Sequence, residues 1–222
     1  MKCYKSFDEL YFDTEIEDII SNNDVIHIKY DPNKEDIIFL LGILFASGKR
    51  IQVDNLSDVK DDKSFMTSLV KHWHDKKASV QIPANINSYN NNSFFLFSPT
   101  QMDERETLRI RELVEQEKKK GYEVRTSSYI SDSIYGLCKQ NAIGIANSNN
   151  IYMYYNRNSR AHIFDLGIIY YFSYLNLNRS FRLLNEDSLN LDLNDFSDRV
   201  VHKMAQDQKA RDDLFNRIRE IS

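Results

Sequence analysis

Cysteine is nearly missing from this 222-residue chain: there are two, Cys3 and Cys138, far apart and without a CxxC partner. That excludes a disulfide framework, argues against a thiolate metal site and fits reduced thiols in a cytoplasmic protein. An excess of positive charge is also missing. Lys and Arg number 29 against 33 Asp and Glu, a net charge of -4, so binding to a nucleic-acid polymer has no compositional support. Long apolar runs are absent too. The longest, Ile37 to Ala46, is too short to span a bilayer, and Met1 to Glu9 has no signal-peptide apolar region. Glycine is scarce, six in all, so a glycine inside a helix asks for a reason. What the chain does have is 41% hydrophobic and 28% charged residues, the profile of a globular protein with a real core.

The apolar pattern alternates between short strands and helices, which predicts an α/β fold with a parallel, doubly wound (Rossmann-like) sheet. Residues 6–22 read as an amphipathic helix with a Ser6/Glu9 capping box. Val25 to Tyr30 reads as a strand, 35–47 as an apolar helix stopped by Gly48, and Arg50 to Asp54 as a strand. This is one β-α-β unit of about 30 residues. Residues 63–77 read as a helix, with His72 and His74 solvated beside Trp73, and Val80 to Ile82 as a short strand. Residues 84–92 are Asn-rich and read as a linker.

A second unit follows. Ser93 to Phe97 is expected as a strand and 103–120 as a charged helix burying Leu108, Ile110, Leu113 and Val114. Gly121 caps that helix, and Tyr122 to Val124 is the next strand. Residues 129–147 read as a helix interrupted near Gly144. Ile151 to Tyr155 is a strand, followed by a helix through Phe172, and Ser180 to Leu184 is a further strand. A helix from about 195 to 220 either packs on the domain or serves as an arm for a homo-oligomer. The expected regions are thus 1–83, a degenerate N-terminal half-repeat; 84–92, a linker; 93–185, the main domain; and 186–222, a helical tail.

Segment 26–47 aligns without gaps on 151–172, with eight identities in 22 positions clustered in Ile-Phe-x-Leu-Gly-Ile. Each copy carries a helical glycine, Gly42 or Gly167, that costs roughly 1 kcal/mol relative to Ala. A cost repeated in both copies predicts close helix–strand contact. Leu40 stands in the first copy where Asp165 stands in the second, so the first copy is expected to serve as structure alone.

Asp165 is the candidate catalytic residue. It lies early in an otherwise apolar helix, just beyond the C-terminal end of a strand, where open α/β sheets bind ligands. Burying a carboxylate there costs several kcal/mol, roughly, unless something compensates it. The plain alternative is a helix-start carboxylate satisfying free N–H groups. A phosphate could rest on the backbone N–H groups near Ser159, with Arg157 and Arg160 adding charge. His162 reads as a partly exposed helix residue.

Phe94-Phe95-Leu96-Phe97-Ser98, Gly121-Tyr122-Glu123-Val124 and Ser159-Arg160-Ala161-His162-Ile163-Phe164-Asp165-Leu166-Gly167 follow one another in an order and spacing that resembles the nucleoside 2-deoxyribosyltransferase-like family. That family includes the deoxynucleoside-monophosphate N-glycosidases. The resemblance covers 93–185 and implies cleavage or transfer at the N-glycosidic bond of a nucleoside or nucleoside monophosphate. It implies no cofactor and no metal. It gives Asp165 the role of nucleophile on the sugar carbon and Ser159 contact with the 5′ end or phosphate. Ser98 and Thr100 would lie at the sugar and phosphate, and Asn141 at the base; Asn158 and Arg160 flank Ser159 in the substrate-binding set. Three residues depart from the pattern. Asp165 replaces Glu, Ala161 replaces Gly, and Asn141 stands where a carboxylic acid is found. The alternative reading is a non-catalytic nucleotide-binding or sensing module on the same fold. A third is an assembly protein driven by its C-terminal helices.

Overall fold

The computed structural model describes residues 3–4, 25–59, 64–77, 80–82, 91–98, 102–127, 133–175 and 179–221. The predicted helix at 6–22, its capping box, most of the Asn-rich segment, and Thr100 lie outside these. The elements run β1 (Cys3–Tyr4), β2 (Val25–Ile28), α1 (Glu35–Ala46), β3 (Arg50–Val53), α2 (Phe65–Lys76), β4 (Asn92–Leu96), α3 (Glu104–Lys119), β5 (Glu123–Thr126), α4 (Ile134–Ala146), β6 (Asn150–Met153), α5 (Arg160–Leu175), β7 (Ser180–Leu183) and α6 (Phe196–Ile221). Among the described residues no helix is long and apolar enough to cross a membrane.

Among the described residues all strands pair in parallel, in two sheets ordered β1-β2-β3 and β5-β4-β6-β7. The fold is α/β and Rossmann-like, with an N-terminal half-repeat and a C-terminal helix. In the second sheet the strands fall in the order 2-1-3-4 of the flavodoxin-like winding, so the direction reverses between β4 and β6. Side chains alternate across this sheet as the pleat demands. Phe94, Leu96, Ile151, Met153 and Phe181 face the main core, while Phe95 and Tyr152 face Ile110, Leu113 and Val114 of α3. One helix therefore covers one face, and α4 and α5 cover the other.

Both sheets share a single hydrophobic core, and the seam is the α1–α5 helix pair, the most extensive helix–helix contact in the molecule. A Cβ placed on Gly42 would lie 2.0 Å from the Phe164 carbonyl oxygen, and one on Gly167 would lie 2.1 Å from that of Phe39. Phe39 and Phe164 are equivalent positions in the two copies, so the contacts are reciprocal. The ring contacts are reciprocal too: Phe39 meets Tyr170 edge-on at 5.6 Å, and Phe45 meets Phe164 at 5.4 Å. Glu35 and Arg160, again equivalent positions, pair at 3.0 Å. The repeat is therefore an internal pseudo-two-fold, with β1-β2-β3 answering β4-β6-β7. The glycine contact is helix on helix, not helix on strand as expected, because each copy's partner is the other copy.

A second repeated device had no place in the ungapped alignment. The Asn55 amide accepts from Tyr30 N at 2.8 Å and donates to Tyr30 O at 2.9 Å. Asn185 does the same for Tyr155, at 3.0 and 2.9 Å. Each amide ties the end of one strand to the end of the next and satisfies two backbone groups at once. The two asparagines are 130 residues apart where the tyrosines they hold are 125 apart. The connections between them differ in length, and that hid the match.

Other expectations change in detail. Leu108 is exposed and Glu117 is buried, with its carboxylate accepting from Ser93 Oγ at 2.7 Å and from Lys120 Nζ at 2.8 Å. The periodicity of α3 places Ile110, Leu113 and Val114 correctly but not Leu108, and it does not reveal the Ser93 partner 24 residues away. The helix at 134–146 is unbroken. Gly144 is there because a Cβ would meet the Phe94 ring at 2.2 Å. Val80 to Ile82 forms no strand. His74 is not a solvated bystander: its Nδ1 accepts from Val53 N at 3.0 Å and fastens α2 to β3. The first half of α6 packs on the core through Val200, Val201 and Met204.

Candidate functional site

Asp165 sits in the second turn of α5 and is 6% exposed. Cys138, in the second turn of α4, is beside it, and burial, with the neighbouring carboxyl adding to it, pushes the thiol pKa up. Both helices start at the edge of the sheet where β4 and β6 end and the winding reverses, the place where such folds take ligands. Burial alone raises the Asp165 carboxyl from 3.8 to about 8. Among the described residues no hydrogen bond or cation offsets that cost. The alternative in which the carboxylate caps free helix N–H groups therefore does not describe Asp165. That task falls to Ser159, whose Oγ accepts from His162 N at 3.4 Å.

The remaining residues proposed from sequence divide into two groups. Ser98 follows β4 and is half-buried, on the edge where β4 and β6 diverge. Asn141 is buried one turn beyond Cys138 on the same side of α4. These two share the switch-point edge of the second sheet with Asp165. Asn158, Ser159 and Arg160 do not converge on it. Asn158 is exposed and closes its own turn, donating its backbone N–H to Asn156 Oδ1 at 3.0 Å. Ser159 and Arg160, with Ala161, line a different space, an open cleft of about 1050 Å³ whose other walls belong to the first repeat. Asp165 is not among the cleft's walls.

Two neighbours of the motif turn out to be structural. His162 is buried, not partly exposed. Its Nδ1 accepts from Asn156 N at 3.1 Å, and burial lowers its pKa to about 4, so it is neutral. Arg157 is committed to the fold: it pairs with the fully buried Asp198 at 3.0 Å and also donates to the Asn190 carbonyl. Asp198 in turn accepts from Tyr155 Oη at 2.8 Å and from Asp192 N at 2.7 Å. Nothing in the local sequence of Arg157 announced this, since Asp198 is 41 residues away.

The cleft was the feature that sequence reasoning missed. It opens at the C-terminal ends of β2 and β3, the copy expected to serve as structure alone. Its one sequence signal was the repeat itself, which puts a second strand-to-helix crossover at Lys29 to Glu35. No family model matches the chain, and neither does any characterised protein or solved structure.

Proposed function

We propose that this chain acts on the N-glycosidic bond of a nucleoside or nucleoside monophosphate at the switch point of its second sheet, with Asp165 at the reacting centre. The observation that carries the reading is a buried carboxyl group whose cost nothing among the described residues offsets, on the edge where this winding takes ligands. Glycosidic cleavage passes through an oxocarbenium-like state that a carboxyl group serves in either of two protonation states. As a carboxylate it attacks C1′, the C1′–N bond breaks, and the base leaves with the bonding electron pair and takes up a proton. As a carboxylic acid it delivers that proton while water attacks C1′. With its pKa raised to about 8, Asp165 is mostly protonated at neutral pH, which suits the second role better. The fold, the resemblance and the position of Ser98 and Asn141 support the same reading.

The test is release of free base from a panel of deoxynucleosides and their monophosphates, followed by chromatography. Wild type is expected to release base and Asp165→Asn to lose about a hundredfold or more of that rate. If the carboxyl donates a proton, the rate falls as pH rises through about 8; if it is the nucleophile, the rate rises over the same interval. Equal release by both proteins would end the proposal. A second reading, nucleotide binding without turnover, is favoured by the cleft, which is open where Asp165 is not. Thermal stabilisation by a nucleotide with no base released would select it.

A further inference from the structure

We propose that the cleft between the repeats is a binding site for a phosphate-bearing small molecule of the nucleoside monophosphate class. This stands without the Asp165 reading, because the cleft excludes that residue.

The cleft's volume, about 1050 Å³, is at the upper end of small-molecule sites, roughly 300–1,000 Å³. Its charge pattern favours an anion. Lys29, Lys34 and Arg160 line it. So do the starts of three helices: α1 at Lys34, α2 at Ser64, and α5 at Ser159 and Arg160. Each helix start adds partial positive charge and backbone N–H groups to the same space. Among the described residues two acids also line the cleft and are engaged locally. Asp31 accepts from Asn33 N at 2.9 Å, and Asp58 from the Ser57 hydroxyl at 3.2 Å. Asp58 remains placed to accept from a sugar hydroxyl. Phe65, Met66 and Val59 give the apolar wall on which a base can lie.

The pseudo-two-fold supplies an independent comparison. The same niche in the second repeat is filled by the chain itself. There the third residue of α6 is Asp198, a carboxylate at a helix start, covered by the Arg157 guanidinium. In the first repeat the third residue of α2 is Thr67, whose hydroxyl meets Tyr30 Oη at 3.3 Å as Asp198 meets Tyr155. The position of Arg157 is taken by Pro32, on the cleft wall. The first repeat thus lacks both the built-in anion and the side chain that covers it, and keeps the helix starts. With Pro32 in place of the covering arginine, the niche stays open on the first repeat's side.

Arg160 is the side chain that would report it. It is 38% exposed and reaches Glu35 at 3.0 Å, with donors left over. Glu35 is held independently by Ser197 N and Oγ at 3.1 and 2.9 Å, so Arg160→Gln leaves the carboxylate partnered and the fold intact.

Isothermal titration of the full chain with AMP, CMP, GMP and UMP, with adenosine and with inorganic phosphate tests the site. At least one monophosphate is expected to bind at one per chain. Adenosine and inorganic phosphate should each bind at least tenfold more weakly than the best monophosphate. Arg160→Gln should weaken that monophosphate roughly tenfold or more, the loss of one charge-assisted contact, in the wild-type and Asp165→Asn backgrounds alike. The double substitution Pro32→Arg with Thr67→Asp, which installs the second repeat's filling in the first, should abolish binding with the circular dichroism spectrum retained. If the double variant does not fold, Arg160→Gln decides alone. No binding by any monophosphate overturns the proposal. So does binding that Asp165→Asn removes and Arg160→Gln does not, which would place the nucleotide at the second sheet's switch point instead.

Discussion

Asp165→Asn is expected to make the protein more stable at pH 8, by about 5 kcal/mol at most, and to leave its stability little changed near pH 4. In the unfolded chain the carboxyl ionises near 3.8, and in the fold it holds its proton to about 8. The folded pKa is raised, so between those values the native state binds the extra proton and stability falls as pH rises. Each unit of separation is worth 1.36 kcal/mol, and roughly four units give the stated ceiling. The amide is close in shape and carries no charge to desolvate, so its folding free energy has no such slope. His162 contributes the opposite slope at lower pH. It is buried neutral with its pKa lowered to about 4, so acidification below the ordinary histidine range favours the unfolded state. His162 is present in both proteins and cancels in the difference. Urea midpoints of wild type and Asp165→Asn at pH 5 and pH 8 make the comparison. A difference that does not grow with pH would mean the carboxyl is compensated in solution, and the case for a site at Asp165 would lose its support. Growth of the difference together with loss of base release would identify a residue kept for chemistry at the expense of stability.

The order of strands and helices was readable from sequence because each element has an apolar period of its own, and the local stops are where they should be. Gly48 and Gly121 take positive φ at the ends of α1 and α3, 76° and 88°. The partners of those elements were not readable. The α1 helix is apolar nearly all round, with every residue from Ile37 to Ala46 buried. Such a helix touches something on every side, and its sequence cannot name what. That is why the glycine contact was assigned to a strand. Side chains that act across distance escaped for the same reason. Arg157 looked available for a ligand phosphate until Asp198 arrived from α6, and nothing in the sequence around Glu117 pointed to Ser93 and Asn150 as its partners. At the candidate site, the position of Asp165 at the switch point was legible, because strand ends and helix starts are local signals. The cleft was not, since it is made by the start of one copy's helix closing over the strand ends of the other.

Gly42→Ala is expected to cost several kcal/mol, although alanine is the better helix former by roughly 1 kcal/mol. The new methyl would sit 2.0 Å from the Phe164 carbonyl oxygen and 3.0 Å from the Gly167 Cα. Those are backbone atoms of a helix and cannot rotate aside as a side chain can. Relief requires α1 and α5 to separate by more than an ångström along the seam that joins the two repeats. That separation would loosen the Phe39–Tyr170 and Phe45–Phe164 ring contacts on either side of the crossing. Overpacking of a core costs typically 1–3 kcal/mol when side chains can adjust, and here the obstruction is main chain in both directions. Gly167→Ala meets the Phe39 carbonyl at 2.1 Å and should cost about the same. The pair gives the sharper result. Once one substitution has forced the helices apart, the second finds the space already made, so Gly42→Ala with Gly167→Ala should cost clearly less than the sum of the two. Thermal unfolding of the three variants measures this. Additive costs would show that each alanine is accommodated locally and that the two crossing glycines do not share one seam. Sub-additive costs would show that the repeats are held at one distance by a single contact made twice. The width of the cleft, bounded on one side by the first turn of α5 and on the other by the strand ends of the first repeat, is set by that same distance.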